Sequence, residues 1–462
     1  MGFFKAYDMR GTFGADFDLS TVEKVGRALP RVVAPGRWLV GRDCRLTSDA
    51  VSAALQRGLR DSGAEVVDIG RCTTPMVYFY TAETGVDGSV MVTASHNPPT
   101  DNGLKVSKRG ALPVGYANGL DEVERLVAAD SAPTGEGVAA AGDGSRKWID
   151  GYVDRMRARA PGFSNLKIAV DCSNGMASLL VKELFPGAMI VNDVLDGSFP
   201  AHSPNPLKAE AREQAAALVR EHSLDCAVIF DGDADRCMFL DERGGFVQPD
   251  YLIPVAARGA AAMAGESLEG ATIIHDVRTS RGAIAAIEAA GAKALMVPVG
   301  HAFAKPALRE SGAICGGELA GHYYFRDFHC CDSGVLAALT VLGEVARAKR
   351  EGRTFSEMMA PVCSAYANSG ELNFKVEDKD AAVARILAAA KSGFPEEISR
   401  SEIDGVRVEY ADGWFNVRKS NTEPYLRLIV ECRTAEMLAS WTEKLKNEIS
   451  DKKFNTARNF MI

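Results

Sequence analysis

The chain has 462 residues, 47% of them hydrophobic and 25% charged, with a formal net charge of −8. That length exceeds what one hydrophobic core usually serves, so several domains are expected. The acidic balance argues against a nucleic-acid partner or a membrane surface, and no apolar run approaches the roughly 20 residues that span a bilayer. Lys5 and Asp8 interrupt the start, which is too short and polar for a secretory signal. Ten scattered cysteines, with Cys330-Cys331 beside His329 the only adjacent pair, lack zinc-ligand spacing and read as reduced thiols of a cytoplasmic protein.

In chain order, the first clear element group starts at Trp38. A short apolar run ends in Asp43; a polar turn, a helical stretch rich in Ala and Leu, the step Gly63-Ala64 and a second apolar run follow. This reads as strand, turn, helix, glycine stop and a strand parallel to the first. Next comes "SVMVTASHNP", Ser89–Pro98, in which Val90, Met91 and Val92 form a buried-strand run. Ser95 therefore lies just past a strand end, where ligand sites of parallel sheets fall. No G-x-S-x-G elbow supports a hydrolase. A stretch rich in Ala, Gly and Asp, 128–145, reads as a linker.

The pattern of Asp43 and Gly63-Ala64 recurs from Lys167, with Asp171 and Gly187-Ala188, and from Thr272, with Asp276 and Gly291-Ala292. Three related α/β domains are the expected result. Between the second and third units stands "CAVIFDGDADRCMFL", where an apolar strand delivers Asp231, Asp233 and Asp235 with only Gly232 and Ala234 between them. Small spacers let the loop curl so that several hard oxygen ligands face one point, which suits Mg²⁺. An EF-hand fails despite Glu242 at loop position twelve, because Arg236 replaces the obligatory glycine at position six.

After the third unit, "CGGELAGHYYF" offers Glu318 and His322 from what reads as a flexible loop carrying Gly321, and a carboxylate there suits paired sugar hydroxyls. The last hundred residues change character. Strand patterns at "ELNFKV", "GVRVEY", "WFNVRK" and "YLRLIVEC" alternate with helices near 381–391 and 435–449, an α+β order and so a fourth, distinct domain. Within it, "NVRKSNTEPYLRL" concentrates Arg418, Lys419, Ser420, Asn421 and Thr422 in a turn closed by Pro424, a phosphate cradle in composition. With no Walker A motif, an NTP-binding loop is not its source.

Taken together, "TASHNP", "DGDADR", "GGELAGH" and "RKSNTEP" resemble, in order and over essentially the whole chain, the α-D-phosphohexomutase family, most closely its bacterial phosphomannomutase/phosphoglucomutase branch. "AYDMRG", "GRDCR", "NGLK", "DGSFPAHSPNP" and "VGHAF" add to the resemblance. It implies four domains around a central cleft, bounded here at 1–140, 141–246, 247–362 and 363–462. By the same resemblance Ser95 is the phosphoserine, and Asp231, Asp233 and Asp235 hold Mg²⁺ together with an oxygen on Ser95. Tyr7, Arg10, Lys105 and Arg236 line the reacting centre, His301, Glu318 and His322 contact the sugar, and Arg418, Ser420, Asn421 and Thr422 grip the phosphate that is not transferred.

The implied reaction interconverts hexose 1- and 6-phosphates, mannose foremost and glucose as well, through a 1,6-bisphosphate that is both intermediate and activator. Lys105 and His322 are both candidates for the base. No obligatory protein partner is implied. Ala320 stands where the family often has Ser, and Pro298 where a Lys is common before the Gly300-His301 pair; both bear on which sugar is used. The alternatives are a phosphoglucosamine mutase and, from another class, a metal-dependent phosphatase.

Overall fold

The computed structural model describes residues 2–132, 145–160, 162–420 and 425–449. Its first sheet contains β1 (Met9–Thr12), β2 (Arg37–Arg42), β3 (Glu65–Arg71), β4 (Gly88–Val92), β5 (Asp101–Lys108) and β6 (Leu112–Val114). The second is built from β7 (Ile168–Asp171), β8 (Met189–Val191), β9 (Cys226–Phe230), β10 (Cys237–Leu240) and β11 (Phe246–Val247). The third has β12 (Thr272–Asp276), β13 (Lys293–Val297), β14 (Cys315–Gly317), β15 (Tyr323–Phe325) and β16 (Cys331–Asp332).

All three sheets share one core topology. The orders β3-β2-β4-β5-β1, β8-β7-β9-β10-β11 and β13-β12-β14-β15-β16 match over their first four strands; the fifth comes before the unit in the first sheet and after it in the other two, and β6 adds to β5 in the first sheet. In each, three parallel strands are extended by antiparallel ones. The repeat read from the sequence is thus structural. Gly63, Gly187 and Gly291 take φ of +86°, +82° and +80°, the left-handed turn that lets each second strand return.

Asp43, Asp171 and Asp276 are buried at the ends of β2, β7 and β12. Each accepts the backbone N–H two residues on, from Arg45, Ser173 and Arg278 respectively. A carboxylate thus ties off the turn after the first strand in every domain. The second unit departs from the expected helix: a 3₁₀ turn at Met176–Leu179 and a single short helix, Val181–Leu184, replace it. Gly175 packs so tightly on Gly232 that a Cβ would lie 2.6 Å from its carbonyl, so this segment is held against the aspartate loop rather than wound beside the sheet.

The last sheet is antiparallel: β17 (Ala367–Asn368), β18 (Leu372–Lys375), β19 (Ser399–Ser401), β20 (Val406–Tyr410), β21 (Gly413–Lys419) and β22 (Tyr425–Cys432). Helices Lys379–Gly393 and Ala435–Ile449 close over a core of their own around Trp441, Phe415 and Val430. The segment expected as a linker is helical up to Ala129 and again from Ser145, and 133–144 lies outside the described residues. Among the described residues no helix is long and apolar enough to cross a membrane. The ten cysteines are free thiols, nine of them buried, and Cys363 is exposed.

Candidate active site

Ser95 lies three residues beyond β4, in a left-handed conformation with φ +51°. That is strained for a residue with a Cβ. Four backbone carbonyls explain how the loop holds it. The guanidinium of Arg45 donates to Ser95 O and Asn97 O (2.8 and 2.7 Å), and to Pro98 O and Asp101 O (2.6 and 2.9 Å). Asp43 neutralises this buried cation at 3.2 Å. The side chain of Ser95 donates to Asp231 Oδ2 at 2.9 Å and lies 3.3 Å from His96 Nδ1. Burial, then Arg236 and Arg10, push the His96 imidazole below its ordinary range.

β9 delivers the aspartate loop to that hydroxyl. Gly232 is required there, since a Cβ would sit 2.6 Å from Ser95 O, and Ala234 turns the chain with φ +58°. Oxygens of Asp231, Asp233 and Asp235 all lie within 4.8 Å of one another, buried. Lys105, on β5, donates to Asp233 Oδ2 at 2.7 Å and to Asp235 Oδ2 at 2.6 Å, and Thr74 donates to Asp233 Oδ2 at 2.5 Å.

Burial opposes charge on Lys105, but the two carboxylates outweigh it and raise the ammonium pKa. Asp231 is the exception in its trio: burial, then repulsion from Asp235 and Asp233, holds its carboxyl well above the usual range. Among the described residues, Asp233 Oδ1 and Asp235 Oδ1 are buried with no hydrogen-bond partner. Clustered carboxylates with unsatisfied inner oxygens fit a hard divalent cation such as Mg²⁺. Glu242, the would-be EF-hand ligand, instead accepts from the N–H and Oγ of Ser356, at 3.0 and 2.5 Å, far along the chain.

Arg10, on β1, donates to Asp8 at 2.5 Å and Asn97 at 3.0 Å, and its buried Nε has no hydrogen-bond partner among the described residues. Arg236 closes the aspartate loop on itself, its N–H donating to Asp231 Oδ1 at 3.2 Å, while its Nε donates to His322 Nε2 at 2.9 Å. Arg236 and His322 also form a backbone bridge, which joins the second and third domains beside the aspartate loop.

The segment read as a flexible loop is a tight turn between β14 and β15. The Glu318 N–H donates to His322 O and the Gly321 N–H to Glu318 O, each at 3.0 Å. A Cβ on Gly321 would meet Met238 Cε at 2.4 Å, and its φ is +87°. Glu318 accepts from Tyr324 Oη at 2.5 Å, and burial raises its pKa. His301, at the start of the helix His301–Ser311, has a buried Nδ1 without a hydrogen-bond partner among the described residues; burial, then Lys305, lowers its pKa to about 3. The phenol of Tyr7 donates to Val299 O at 3.3 Å, and the Val299 N–H donates to Asp404 at 3.0 Å, so first, third and fourth domains meet at one residue.

Arg418 is 3% exposed on β21 and donates to Glu371 Oε1 at 2.8 Å. Glu371 also accepts from Arg278 at 3.3 Å and Arg427 at 3.1 Å. Burial opposes its charge, yet Arg278, Arg418 and Arg427 together pull its pKa down to about 2. Ser420 follows Arg418 at the strand end, its N–H donating to Tyr425 O at 2.9 Å. Asn421 and Thr422 lie outside the described residues.

The sequence reading missed Arg45, Thr74, Arg278, Glu371, Lys305 and Asp332. Arg45 stood in the quoted "GRDCR", Arg278 holds the same place after the repeated Asp of the third unit, and Glu371 opens the quoted "ELNFKV"; Thr74, Lys305 and Asp332 carry no local pattern and join the site only through tertiary contact.

This fold and site define a class. The chain matches the models described as phosphoglucomutase/phosphomannomutase alpha/beta/alpha domain I over 1–133, domain II over 147–245, domain III over 248–366 and the C-terminal domain over 371–448. The chain belongs to the phosphoglucomutase/phosphomannomutase family. It is 38% identical over 445 residues to a phosphomannomutase of Salmonella montevideo, covering 93% of this chain and 94% of that one. Over 454 residues it is also 38% identical to a Xanthomonas campestris protein named among phosphohexose mutases, covering 96% and 98%. A crystal structure of a Burkholderia thailandensis member of the family superposes with a TM-score of 0.84 at 30% identity, over 97% of each chain.

Proposed function

We propose that this chain is a phosphohexose mutase that interconverts hexose 1-phosphate and hexose 6-phosphate, mannose foremost and glucose as well, through phosphoserine at Ser95 and a hexose 1,6-bisphosphate. The observation that carries this is the 2.9 Å contact between Ser95 Oγ and Asp231 inside a three-carboxylate cluster. Nucleophile and metal cluster come from different domains and meet only in the folded cleft. The names of the relatives point the same way.

In this reading Asp231, Asp233 and Asp235 hold Mg²⁺, which supplies positive charge to phosphoryl oxygens. The sugar hydroxyl attacks phosphorus; the new O–P bond forms, the bond to Ser95 Oγ breaks, and Oγ keeps the bonding pair. Lys105, Arg10 and Arg236 meet the charge of the moving group, since positioning and electrostatics dominate this chemistry. The bisphosphate then turns end for end and returns its other phosphate to Ser95. Arg418 and Ser420, with Asn421 and Thr422, hold the spectator phosphate, while His301, Glu318 and Tyr7 contact the sugar.

Of the two candidate bases His322 fits better. Lys105 is pinned as an ammonium between two carboxylates, and a group with no lone pair cannot take a proton. His322 Nε2 carries a lone pair, here directed at Arg236.

Incubation with labelled glucose 1,6-bisphosphate followed by peptide mapping tests the reading: label is expected on Ser95, and Ser95→Ala is expected to lose turnover. Activity retained without label on Ser95 overturns it, and release of inorganic phosphate with no need of bisphosphate points to a phosphatase. Comparing turnover of mannose 1-, glucose 1- and glucosamine 1-phosphates decides the sugar, on which Ala320 and Pro298 bear.

A further inference from the structure

Behind His322 lies a buried charge chain that the reaction as described does not use. His322 Nδ1 is 2.7 Å from Asp332 Oδ2, on β16. The other oxygen of Asp332, Oδ1, is 2.8 Å from the ammonium of Lys305, whose side chain is wholly buried. That ammonium also stands 3.3 Å from the ring centroid of Tyr78, a residue of the first domain. Three domains therefore contribute to one line of groups: Tyr78 beneath Lys305, then Asp332, His322 and Arg236.

The donor count fixes the direction of the two bonds at the His322 ring. Arg236 Nε can only donate, so His322 Nε2 must accept and carries no proton. The ring proton is then on Nδ1 and donates to Asp332. A carboxylate can only accept, so it enforces this tautomer; the Lys305 ammonium, 2.8 Å from Oδ1 but without hydrogen-bond geometry, holds the carboxylate by charge.

We propose that Asp332, anchored by Lys305, is the positioning residue that keeps His322 in its Nδ1–H tautomer, leaving Nε2 free to take the sugar hydroxyl proton once Arg236 turns to the phosphoryl group. This rests on the reading of His322 as the base. The same geometry argues against a second cation among Asp235, His322 and Asp332, whose ligand atoms also lie within 4.8 Å of one another. Nδ1 is committed to Asp332, and Lys305 already neutralises that carboxylate.

Asp332→Asn gives the sharp test. Lys305 draws the amide oxygen, so the amide NH₂ faces His322 Nδ1 and forces the proton to Nε2. That tautomer can accept neither the sugar proton nor the Arg236 bond. The comparable exchange in the serine-protease triad lowers kcat by about 10⁴. Here kcat is expected to fall at least about 10²-fold with KM within about twofold, and the ¹⁵N spectrum of labelled histidine, assigned with His322→Gln, is expected to change from Nδ1–H to Nε2–H. In Asp332→Asn/Lys305→Met the amide is free to turn its oxygen to His322, with its NH₂ over the Tyr78 ring, so the original tautomer and at least about tenfold of kcat are expected to return.

A wild-type spectrum showing Nε2–H overturns the proposal without any variant. So does Asp332→Asn that loses activity with its tautomer unchanged, or that keeps full kcat. A His322→Gln variant of undiminished kcat overturns instead the choice of base, a separate failure.

Discussion

Arg45 donates to the carbonyl oxygen of Ser95 at 2.8 Å and to three further carbonyls of the same loop. The strained serine is thus supported by a side chain from the neighbouring strand's turn, not by its own sequence. Arg45→Met leaves those carbonyls unpaired and Asp43 without its cation, and breaking a buried pair costs about 3–5 kcal/mol. Chemical denaturation is expected to report a loss of that order. Arg45→Lys, which keeps charge but not the fork, is expected to lose less stability yet fail to label Ser95 normally.

Gly232 is placed by close approach. Its missing Cβ is where Ser95 O lies, 2.6 Å from the ideal position. Gly232→Ala must move either the serine loop or the aspartate loop, and such overpacking costs about 1–3 kcal/mol. Turnover is expected to fall about 10²-fold, because a displacement near 1 Å has that effect on positioned groups. A thermal melt alongside turnover checks both, and unchanged kcat counts against the geometry.

Glu371 joins the third and fourth domains through Arg278, Arg418 and Arg427. Its folded pKa, about 2, is below the unfolded carboxylate value. The unfolded chain therefore binds the proton first, and this contribution is present above about pH 4.5 and lost as pH falls towards 2. Glu371→Gln is expected to flatten the acid limb of the stability curve and raise KM for phosphosugar, because Arg418 loses its guide.

Asp250 has the opposite sign. Burial raises its pKa to about 7, although its Oδ2 accepts the Ser280 N–H at 2.9 Å. The native state holds the proton longer than the unfolded one, so stability falls as pH rises from about 4 to 7 through this group. Asp250→Asn is expected to gain stability relative to the parent across that window and to hold the gain above it. Paired denaturation at pH 5 and 8 measures the difference.

Much of the architecture was legible. The recurring Asp and Gly-Ala steps mark three sheets of one core topology because a strand end needs a turn acceptor and a helix end needs a left-handed residue, both local demands. Ser95 and the three aspartates were legible for the same reason, each standing at the end of an apolar strand. The second unit's helix was not, because packing of Gly175 on Gly232 overrides the helical pattern between them. Nor was the turn at Gly321, which Met238 of another domain shapes.

Sequence by itself therefore determined which residues carry charge, which loops follow strands and how many domains repeat. Only the tertiary structure decided what each charge faces. Only folding sets Lys105 between Asp233 and Asp235, at 2.7 and 2.6 Å, and only folding sets Arg236 and Asp332 on opposite sides of the His322 ring. The reason is physical: a strand end is a local property of the chain, whereas protonation state, tautomer and metal affinity belong to groups brought together from distant segments in a space that excludes water.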